Sequence, residues 1–424
     1  MAAMAAMATT TTTTTTKTTA TASGQNEDEK LTTAARVARA GRGVYVTTQF
    51  GFERVAAEEL EATLGKPRAE LLEDKGFVFA ALDSFDCLTQ EAASKLRSVE
   101  NAYALVTAVR IAGLAQMPKE EALDALRRAA AETDPACWEA AKEAAWRVRG
   151  VSVKESARGA KFRIFRKRFG KPKHQFTSTD IGLPVFKGLD LLLPDWEGVL
   201  EDPNVSIMAR VSDDILFLGV KLTDELVWSN LLLPYERERV LTPLRPSAAH
   251  AMAVLSRPQP AEIFIDPMAG CGTIPEVAAH SYAGQLFCIS GEKDPLSVQK
   301  ARRNADASPM HAYLDVVQWD ARRLPLREGV VHRAACDLPF GKKCGSRKQN
   351  KTLYVDLVKE LDRTMVRGGA AVLLSGDLRN IESCNPPGKT CTSEQWRAQC
   401  GGLDVTIKII HKRETPVVCD DADS

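Results

Sequence analysis

Alternating and helical spacings of apolar residues divide the first half of the chain into strand and helix segments. GVYVTTQFG (43–51) alternates and is rich in β-branched and aromatic residues, which predicts a strand. ERVAAEELEATLG (53–65) spaces its apolar residues at helical intervals and stops at a glycine, which predicts a helix. GFVFAAL (76–82) predicts a second strand, and residues 117–147 have an alanine- and glutamate-rich helical pattern. These segments indicate a small α+β arrangement.

The last third of the chain contains four strand-like segments that each end in an acidic residue. The first, EIFIDPMAGCGTIPEVAAH (262–280), runs from an apolar strand through a glycine-containing turn into a helix. The others are QLFCISGEKD (285–294), LDVVQWDARRLPL (314–326) and CDLPFG (336–341). If these strands form a parallel sheet, four carboxyl groups lie along its carboxyl edge: Asp266, Glu292, Asp320 and Asp337. Open α/β sheets bind ligands at that edge, so the pattern predicts a ligand site there.

The composition is that of an ordinary globular protein. The 424 residues are enough for two or three domains, with 44% hydrophobic and 26% charged residues and a net charge of +1. The ten cysteines form no C-x-x-C pair and no secretory signal is recognisable, so we expect reduced thiols in a cytoplasmic protein, with the nucleus as a second compartment. No run of about 18 apolar residues occurs, so we predict no membrane span. We assign no metal ligands.

The most uneven charge lies between residues 158 and 173, where eight basic residues occur without an acid and phenylalanines stand between them. KFRIFR alternates with period two, so a strand would bury Phe162 and Ile164 while Arg163 faces outward. Such a surface suits phosphate binding, because each neutralised phosphate releases counterions. The alternative is a solvated strand edge that charge keeps soluble. The predicted RNA-binding residues in this run are Lys161, Arg163, Arg166, Lys167, Arg168, Lys171 and Lys173.

The glycine turn after the first acidic strand predicts a nucleotide-like cofactor. Gly270 and Gly272 allow the backbone to approach a ligand with no Cβ in the way, and Glu292 follows at about the 20-residue distance of a ribose acceptor. NAD is the competing cofactor, but its fingerprint needs a third glycine where Pro275 stands. The acidic edge fits S-adenosylmethionine better. The predicted cofactor-binding residues are Asp266, Pro267, Met268, Gly270, Gly272, Glu292 and Asp320.

Three motifs together carry a specific resemblance. IDPMAGCGTIPE, VQWDARRLPLR and DLPFGKKCGSRKQNKTLY closely resemble the THUMP domain-containing protein 3 family of RNA guanine-N2 methyltransferases. KHQFTS (173–178) is similar to that family's THUMP segment, and TPLRPS (242–247) to its methyltransferase entry motif. The resemblance covers roughly residues 43 to 415.

The resemblance implies an α/β fold, with a Rossmann-like class I methyltransferase domain preceded by ferredoxin-like and THUMP α+β domains. Together with the composition, it predicts six parts: a disordered threonine-rich tail (1–40), a ferredoxin-like domain (41–115), a THUMP RNA-binding domain (116–232), a linker (233–246), the methyltransferase domain (247–415) and a flexible tail (416–424).

The resemblance also implies an activity. The family methylates a guanosine of the tRNA acceptor stem, at position 6 or 7, and works as a heterodimer with a small zinc-binding activator subunit of several methyltransferases. Two alternatives stay open: the same chemistry on a spliceosomal small nuclear RNA, or an RNA-binding scaffold without catalysis. The four acids at the strand ends disfavour the scaffold, since a degenerate site has no reason to keep both cofactor carboxylates and an amine acceptor.

The segment DLPFGKK (337–343) predicts the catalytic site. An exocyclic guanine amine is a poor nucleophile, so positioning and electrostatics matter more than a strong base. The Asp337 carboxylate and the Leu338 carbonyl can accept hydrogen bonds from the amine, and Phe340 can stack on the base. Pro339 stiffens the turn, and Lys342 and Lys343 follow where a phosphate would lie. The alternative is a strand entering a tight turn, with the aspartate as a turn residue and the phenylalanine in the core.

Overall fold

The structure is a computed structural model that describes residues 36–37, 42–67, 71–74, 76–152, 159–169, 173–223, 233, 238, 244–341, 346–386 and 390–414. Three predicted RNA-binding residues lie outside the described residues: Lys171, Lys342 and Lys343. The two predicted tails lie outside them as well, apart from positions 36 and 37, and so does most of the predicted linker.

The first half of the chain forms one eight-stranded sheet in the order β2–β3–β1–β4–β8–β7–β5–β6. Its strands are β1 (Gly43–Thr47), β2 (Leu71–Asp74), β3 (Phe77–Ala81), β4 (Asn101–Arg110), β5 (Ala160–Phe169), β6 (Trp196–Gly198), β7 (Val205–Ser212) and β8 (Ile215–Lys221). The helices of this half are α1 (Glu53–Leu64), α2 (Gln90–Ser94), α3 (Lys119–Ala131), α4 (Pro135–Arg149) and α5 (Gly182–Leu192). Their apolar residues form one continuous core with one face of the sheet.

Strand β4 joins the two predicted amino-terminal domains. It pairs with β1 on one side and with β8 on the other, so strands from residues 41–115 and 116–232 share one sheet. The predicted helical stretch 117–147 is two helices, because Asp134 caps α4 and Pro135 occupies its first turn. The domain boundaries themselves stay a prediction.

The second half of the chain forms a seven-stranded sheet in the order β11–β10–β9–β12–β13–β15–β14. Its strands are β9 (Ile263–Asp266), β10 (Phe287–Glu292), β11 (Leu314–Gln318), β12 (Val331–Asp337), β13 (Met365–Ser375), β14 (Cys391–Cys400) and β15 (Leu403–Lys412). Its helices are α6 (Pro246–Leu255), α7 (Thr273–Ser281), α8 (Pro295–Ala307), α9 (Arg347–Thr364) and α10 (Leu378–Ser383). The first five strands pair in parallel, and the final hairpin adds β15 and β14 antiparallel.

The loop after β1 and helix α1 contact the second half of the chain. The carbonyl of Phe50 accepts a hydrogen bond from the amide of Gln399 at 2.8 Å, and the Trp396 indole donates to the Gly51 carbonyl at 2.8 Å. Helices α1 and α6 are joined by a buried contact between side chains, in which Glu59 Oε1 lies 2.8 Å from His250 Nε2. These contacts couple the two halves of the chain.

Within the described part of the chain, no helix has the length and apolar character needed to cross a bilayer.

Candidate active site

The glycine turn lies between β9 and α7 at the carboxyl edge of the second sheet. Gly270 has φ +57° and Gly272 has φ +85°, values in the left-handed region that side chains with a Cβ adopt rarely. The turn then delivers Thr273 as the first residue of α7. Only glycine makes this short strand-to-helix connection without strain, so the predicted role of both glycines has a structural basis.

Glu292, at the end of β10, holds the glycine turn through backbone hydrogen bonds. Its Oε2 accepts from the Gly270 amide at 2.9 Å, and its Oε1 accepts from the amides of Lys293 and Asp294 at 2.7 and 2.9 Å. The carboxylate therefore joins the ends of β9 and β10. Because a carboxylate oxygen has more than one lone pair, these contacts leave capacity for a ribose hydroxyl.

Two side chains that sequence reasoning did not assign to the site support the same turn. The Trp319 indole donates to the Pro267 carbonyl at 3.0 Å, and its ring fills the space over Gly291, where a Cβ would come within 1.8 Å of it. Asn304 on α8 donates to the Cys271 carbonyl at 2.8 Å. The proximity of Trp319 to Asp320 was the only signal available, and Asn304 had none, because its contact depends on helix packing.

Asp266 is almost completely buried at the end of β9. The residue is 2% exposed, and its Oδ1 accepts the Met268 amide at 3.0 Å. Desolvation raises the pKa of this carboxyl to about 8, and the nearby charges of Asp337 and Glu292 act in the same direction. The predicted cofactor acid is therefore present, in surroundings that disfavour its charge.

Asp320 differs from the other three acids. Strand β11 ends at Gln318, two residues before it, and the carboxylate is paired with Arg322 at 2.6 Å and with Lys293 at 2.9 Å. The hydrogen bond from Arg322 is the main reason that the pKa of Asp320 lies below its ordinary value. Asp320 thus lies beside the end of β10, where Arg322 and Lys293 balance its negative charge. Its cofactor role stays a prediction.

Asp337 ends β12, which pairs in parallel with β9, and lies at the same edge as Asp266. Its Oδ1 is buried and has no hydrogen-bond partner among the described residues. Desolvation raises the pKa of the carboxyl to about 7. A buried acceptor without a donor is costly, so this oxygen is suited to accept a hydrogen bond from a ligand.

The residues after Asp337 form a firmly held turn. Leu338 is buried and its amide donates to the Leu374 carbonyl at 2.8 Å, which continues the β12–β13 pairing. Phe340 is half-buried, with its ring against Gly376. The four predicted catalytic residues, which are consecutive in the sequence, thus form one turn at the end of β12, and part of the Phe340 ring is covered.

The predicted basic strand, β5, divides its charges between two faces. Phe162 and Ile164 are buried, as predicted, and the alternate residues Arg163 and Lys167 are exposed. Arg166 is exposed too, but on the opposite face, where its side chain lies against Gly182 at the start of α5. Of the other predicted positions, Lys161 pairs with Glu197, Arg168 contacts His174 and Lys173 is exposed.

These features define the class of the protein. The strand order, with a parallel core and a terminal antiparallel hairpin, is that of the class I methyltransferase fold, as the sequence predicted. The site fits S-adenosylmethionine, the cofactor of this class, because it has a glycine turn, a ribose-type acid and buried carboxyls that no positive side chain among the described residues pairs with.

Comparisons with known proteins agree with this class. Residues 235–404 match the family model described as UPF0020, RMKL-like, methyltransferase domain. Human tRNA (guanine(6)-N(2))-methyltransferase THUMP3 is 33% identical over 268 residues, which are 59% of this chain and 51% of that protein. Mouse U6 snRNA (guanine-N(2))-methyltransferase THUMPD2 is 26% identical over 238 residues, 55% of this chain and 42% of that protein.

A solved structure extends the similarity to nearly the whole chain. TrmN from Thermus thermophilus superposes with a TM-score of 0.66 at 23% identity and covers 88% of this chain and 99% of its own. The predicted resemblance to THUMP3 methyltransferases is confirmed as a similarity over 59% of this chain, and the fold class is confirmed as well; the THUMP domain itself stays a prediction. The chain spans about half the length of the curated THUMP3 relatives it matches.

The buried acids predict an unusual dependence of stability on pH. In the unfolded chain an aspartate has a pKa near 3.9, whereas Asp266 and Asp337 have values of about 8 and 7 in the fold. The folded state binds more protons between these limits, so the acids cost least stability below about pH 4 and their cost grows as pH rises to about 8.

We therefore expect Asp266→Asn to gain stability relative to the natural protein as pH rises from 5 to 9, measured by denaturant unfolding without cofactor. Asp306→Asn, an exposed change on α8, should show a difference that does not vary with pH. A constant difference for Asp266→Asn as well would show that the carboxyl is not held protonated in the fold.

Proposed function

We propose that this protein transfers a methyl group from S-adenosylmethionine to the exocyclic N2 of a guanosine in tRNA, in the acceptor stem at position 6 or 7. The observation that carries the proposal is the recessed Asp337 carboxyl, with its unpartnered Oδ1, at the same sheet edge as the glycine turn. The similarity to THUMP3, named as a guanine N2 enzyme, supports the choice of base.

The cofactor, when bound, supplies a methyl group on a sulfonium sulfur, which is a good leaving group because it departs as a neutral thioether. The residues of this chain then have to orient the amine and stabilise the positive charge that develops on it. Asp337 does both, because its carboxylate accepts a hydrogen bond from N2–H and its negative charge favours the cationic product. The raised pKa of about 7 also suits it to take up the proton that the methylated amine releases.

Phe340 contributes to holding the base. One side of its ring lies against Gly376, and the residue keeps partial exposure, so a guanine can stack on the remaining surface. Stacking on an aromatic ring is worth about 1–3 kcal/mol per base. That gain offsets part of the few kcal/mol needed to extrude a paired base. The site therefore provides an amine acceptor and a base platform on one turn.

The RNA backbone is assigned to the amino-terminal sheet and to the segment after the catalytic turn. Of the described candidates on β5, Arg163 and Lys167 are exposed on the same face, and Arg166 is exposed as well. Lys342 and Lys343, which follow Gly341 in the sequence, are the proposed phosphate contacts of the catalytic segment. A small zinc-binding activator subunit is the proposed protein partner. Strand β11 forms one edge of the second sheet, and an edge strand offers free backbone groups to which a partner strand can add. We assign the protein to the cytoplasm, with the nucleus as a second compartment.

A spliceosomal small nuclear RNA is the second candidate substrate, favoured by the similarity to mouse THUMPD2, which is named for U6 snRNA. The chemistry would be the same. Incubation with tRNA and small nuclear RNA pools and labelled S-adenosylmethionine, with and without the activator, distinguishes the two. We expect N2-methylguanosine in digested tRNA; label only in U6 would change the substrate, and label on another base would overturn the proposal.

Asp337→Asn tests the chemical role of the carboxylate. The amide keeps one acceptor oxygen but lacks the negative charge, so we expect the single-turnover rate to fall by about 10²- to 10³-fold. Affinities for the cofactor and for RNA should change little, because other residues carry them. Asp306→Asn is the matched control and should retain the natural rate. An Asp337→Asn enzyme with undiminished rate would make the aspartate only a turn residue.

The two faces of β5 give a second test. Arg163→Ala with Lys167→Ala should weaken tRNA binding and reduce the slope of log affinity against log salt, by roughly one unit for each phosphate that is no longer neutralised. Arg128→Ala with Lys187→Ala removes the same charge from exposed positions on α3 and α5 and should leave the slope nearly unchanged. Equal slopes for the two double variants would mean that β5 carries only a solvated face.

A further inference from the structure

The carbonyl of Pro339, in the middle of the catalytic turn, accepts hydrogen bonds from two side chains of α9. Tyr354 Oη lies 2.6 Å from the carbonyl oxygen and Asn350 Nδ2 lies 2.7 Å from it. Both residues are buried, at 0% and 1% exposure. One carbonyl of a surface turn thus takes two donors from the interior, which fixes the orientation of the peptide plane.

A second layer of buried polar groups holds those two donors in place. Tyr354 Oη is 2.6 Å from Ser375 Oγ, which accepts the Asp377 amide at 2.9 Å. Asp377 Oδ2 in turn accepts from Asn350 Nδ2 at 3.1 Å and from Asn380 at 2.8 Å. The Asn350 amide group therefore donates to two acceptors, and this determines which of its ends faces the turn.

Packing closes the turn from the other side. A Cβ on Gly376 would come within 2.6 Å of the Phe340 ring, so the ring lies directly on the end of β13. Gly341 has φ +70°, and a Cβ there would lie 3.0 Å from Asn350 Nδ2. Phe340 and Gly341, which follow the Asp337–Pro339 segment, are thus both closely packed, and this packing restricts rotation of the turn.

We propose that Tyr354 and Asn350 are positioning residues for methyl transfer, because they anchor Pro339 so that the Asp337 carboxyl and the Leu338 carbonyl meet the amine in a fixed geometry. The inference rests on the proposed function. The two donors engage the Pro339 carbonyl, which leaves the preceding carbonyl as the backbone acceptor. Amine methylation depends on alignment, and a displacement of about 1 Å can cost 10²-fold in rate.

Tyr354→Phe is the main test, because it removes one hydroxyl and keeps the buried ring. We expect the single-turnover rate to fall roughly tenfold to a hundredfold, with the dissociation constants for S-adenosylmethionine and for RNA within about twofold of natural. Hydrogen exchange of the backbone amides of Leu338, Phe340 and Gly341 should become faster in the free protein. Tyr313→Phe, on an exposed tyrosine of the same domain, should alter none of these quantities.

The exchange measurement separates this inference from the proposed function. If the natural protein methylates no guanosine, the proposed function fails, and faster exchange in Tyr354→Phe still decides whether α9 holds the turn. Unchanged exchange, or a weakened affinity with an unchanged rate, would overturn the positioning role. If Tyr354→Phe does not fold, Ser375→Ala is the second variant: it removes the partner of the Tyr354 hydroxyl, together with the acceptor of the Asp377 amide, and it should change rate and exchange in the same directions.

Discussion

The site depends on two carboxyl groups that the fold buries without pairing. Asp266 and Asp337 end neighbouring parallel strands, and among the described residues neither forms an ion pair. Burying such groups costs stability, because their charged forms lose solvation and repel each other. A cation bound at this edge would recover that cost. Such an edge suits a ligand pair in which a positive sulfonium lies next to an amine that becomes positive during the reaction.

The surrounding structure can be understood as support for those two groups. Glu292 and Trp319 hold the glycine turn beside Asp266, and α9 holds the turn that follows Asp337. The first set prepares a cofactor surface, and the second prepares the acceptor of the amine. Contacts from α1 and β14 couple the amino-terminal sheet to the same domain, so an RNA held on β5 would have a fixed relation to the catalytic edge.

The sequence predicted three of the four acids of this edge, because parallel topology determines where strand ends meet and Asp266, Glu292 and Asp337 stand at those ends. Asp320 lies two residues beyond the end of β11. It could not predict the anchoring of Pro339, because Tyr354 and Asn350 reach that carbonyl only through the packing of α9 against β13. The spacing within β5 predicted which residues are buried near its start. It did not assign Arg166 and Lys167 to different faces of β5. That difference becomes important only because helices cover one face of the sheet.

The pH dependence of cofactor binding tests the central claim most directly. S-adenosylmethionine and S-adenosylhomocysteine differ in one methyl group and in the positive charge on sulfur, so the pH dependence of their affinity ratio, measured by calorimetry between pH 6 and 9, reports on that charge. Because Asp266, the acid assigned to the cofactor, loses its proton across this range, the ratio of the two affinities should rise with pH in favour of S-adenosylmethionine. A ratio that stays constant from pH 6 to 9 would contradict the account, since the buried Asp266 carboxyl would then have no part in holding a cation.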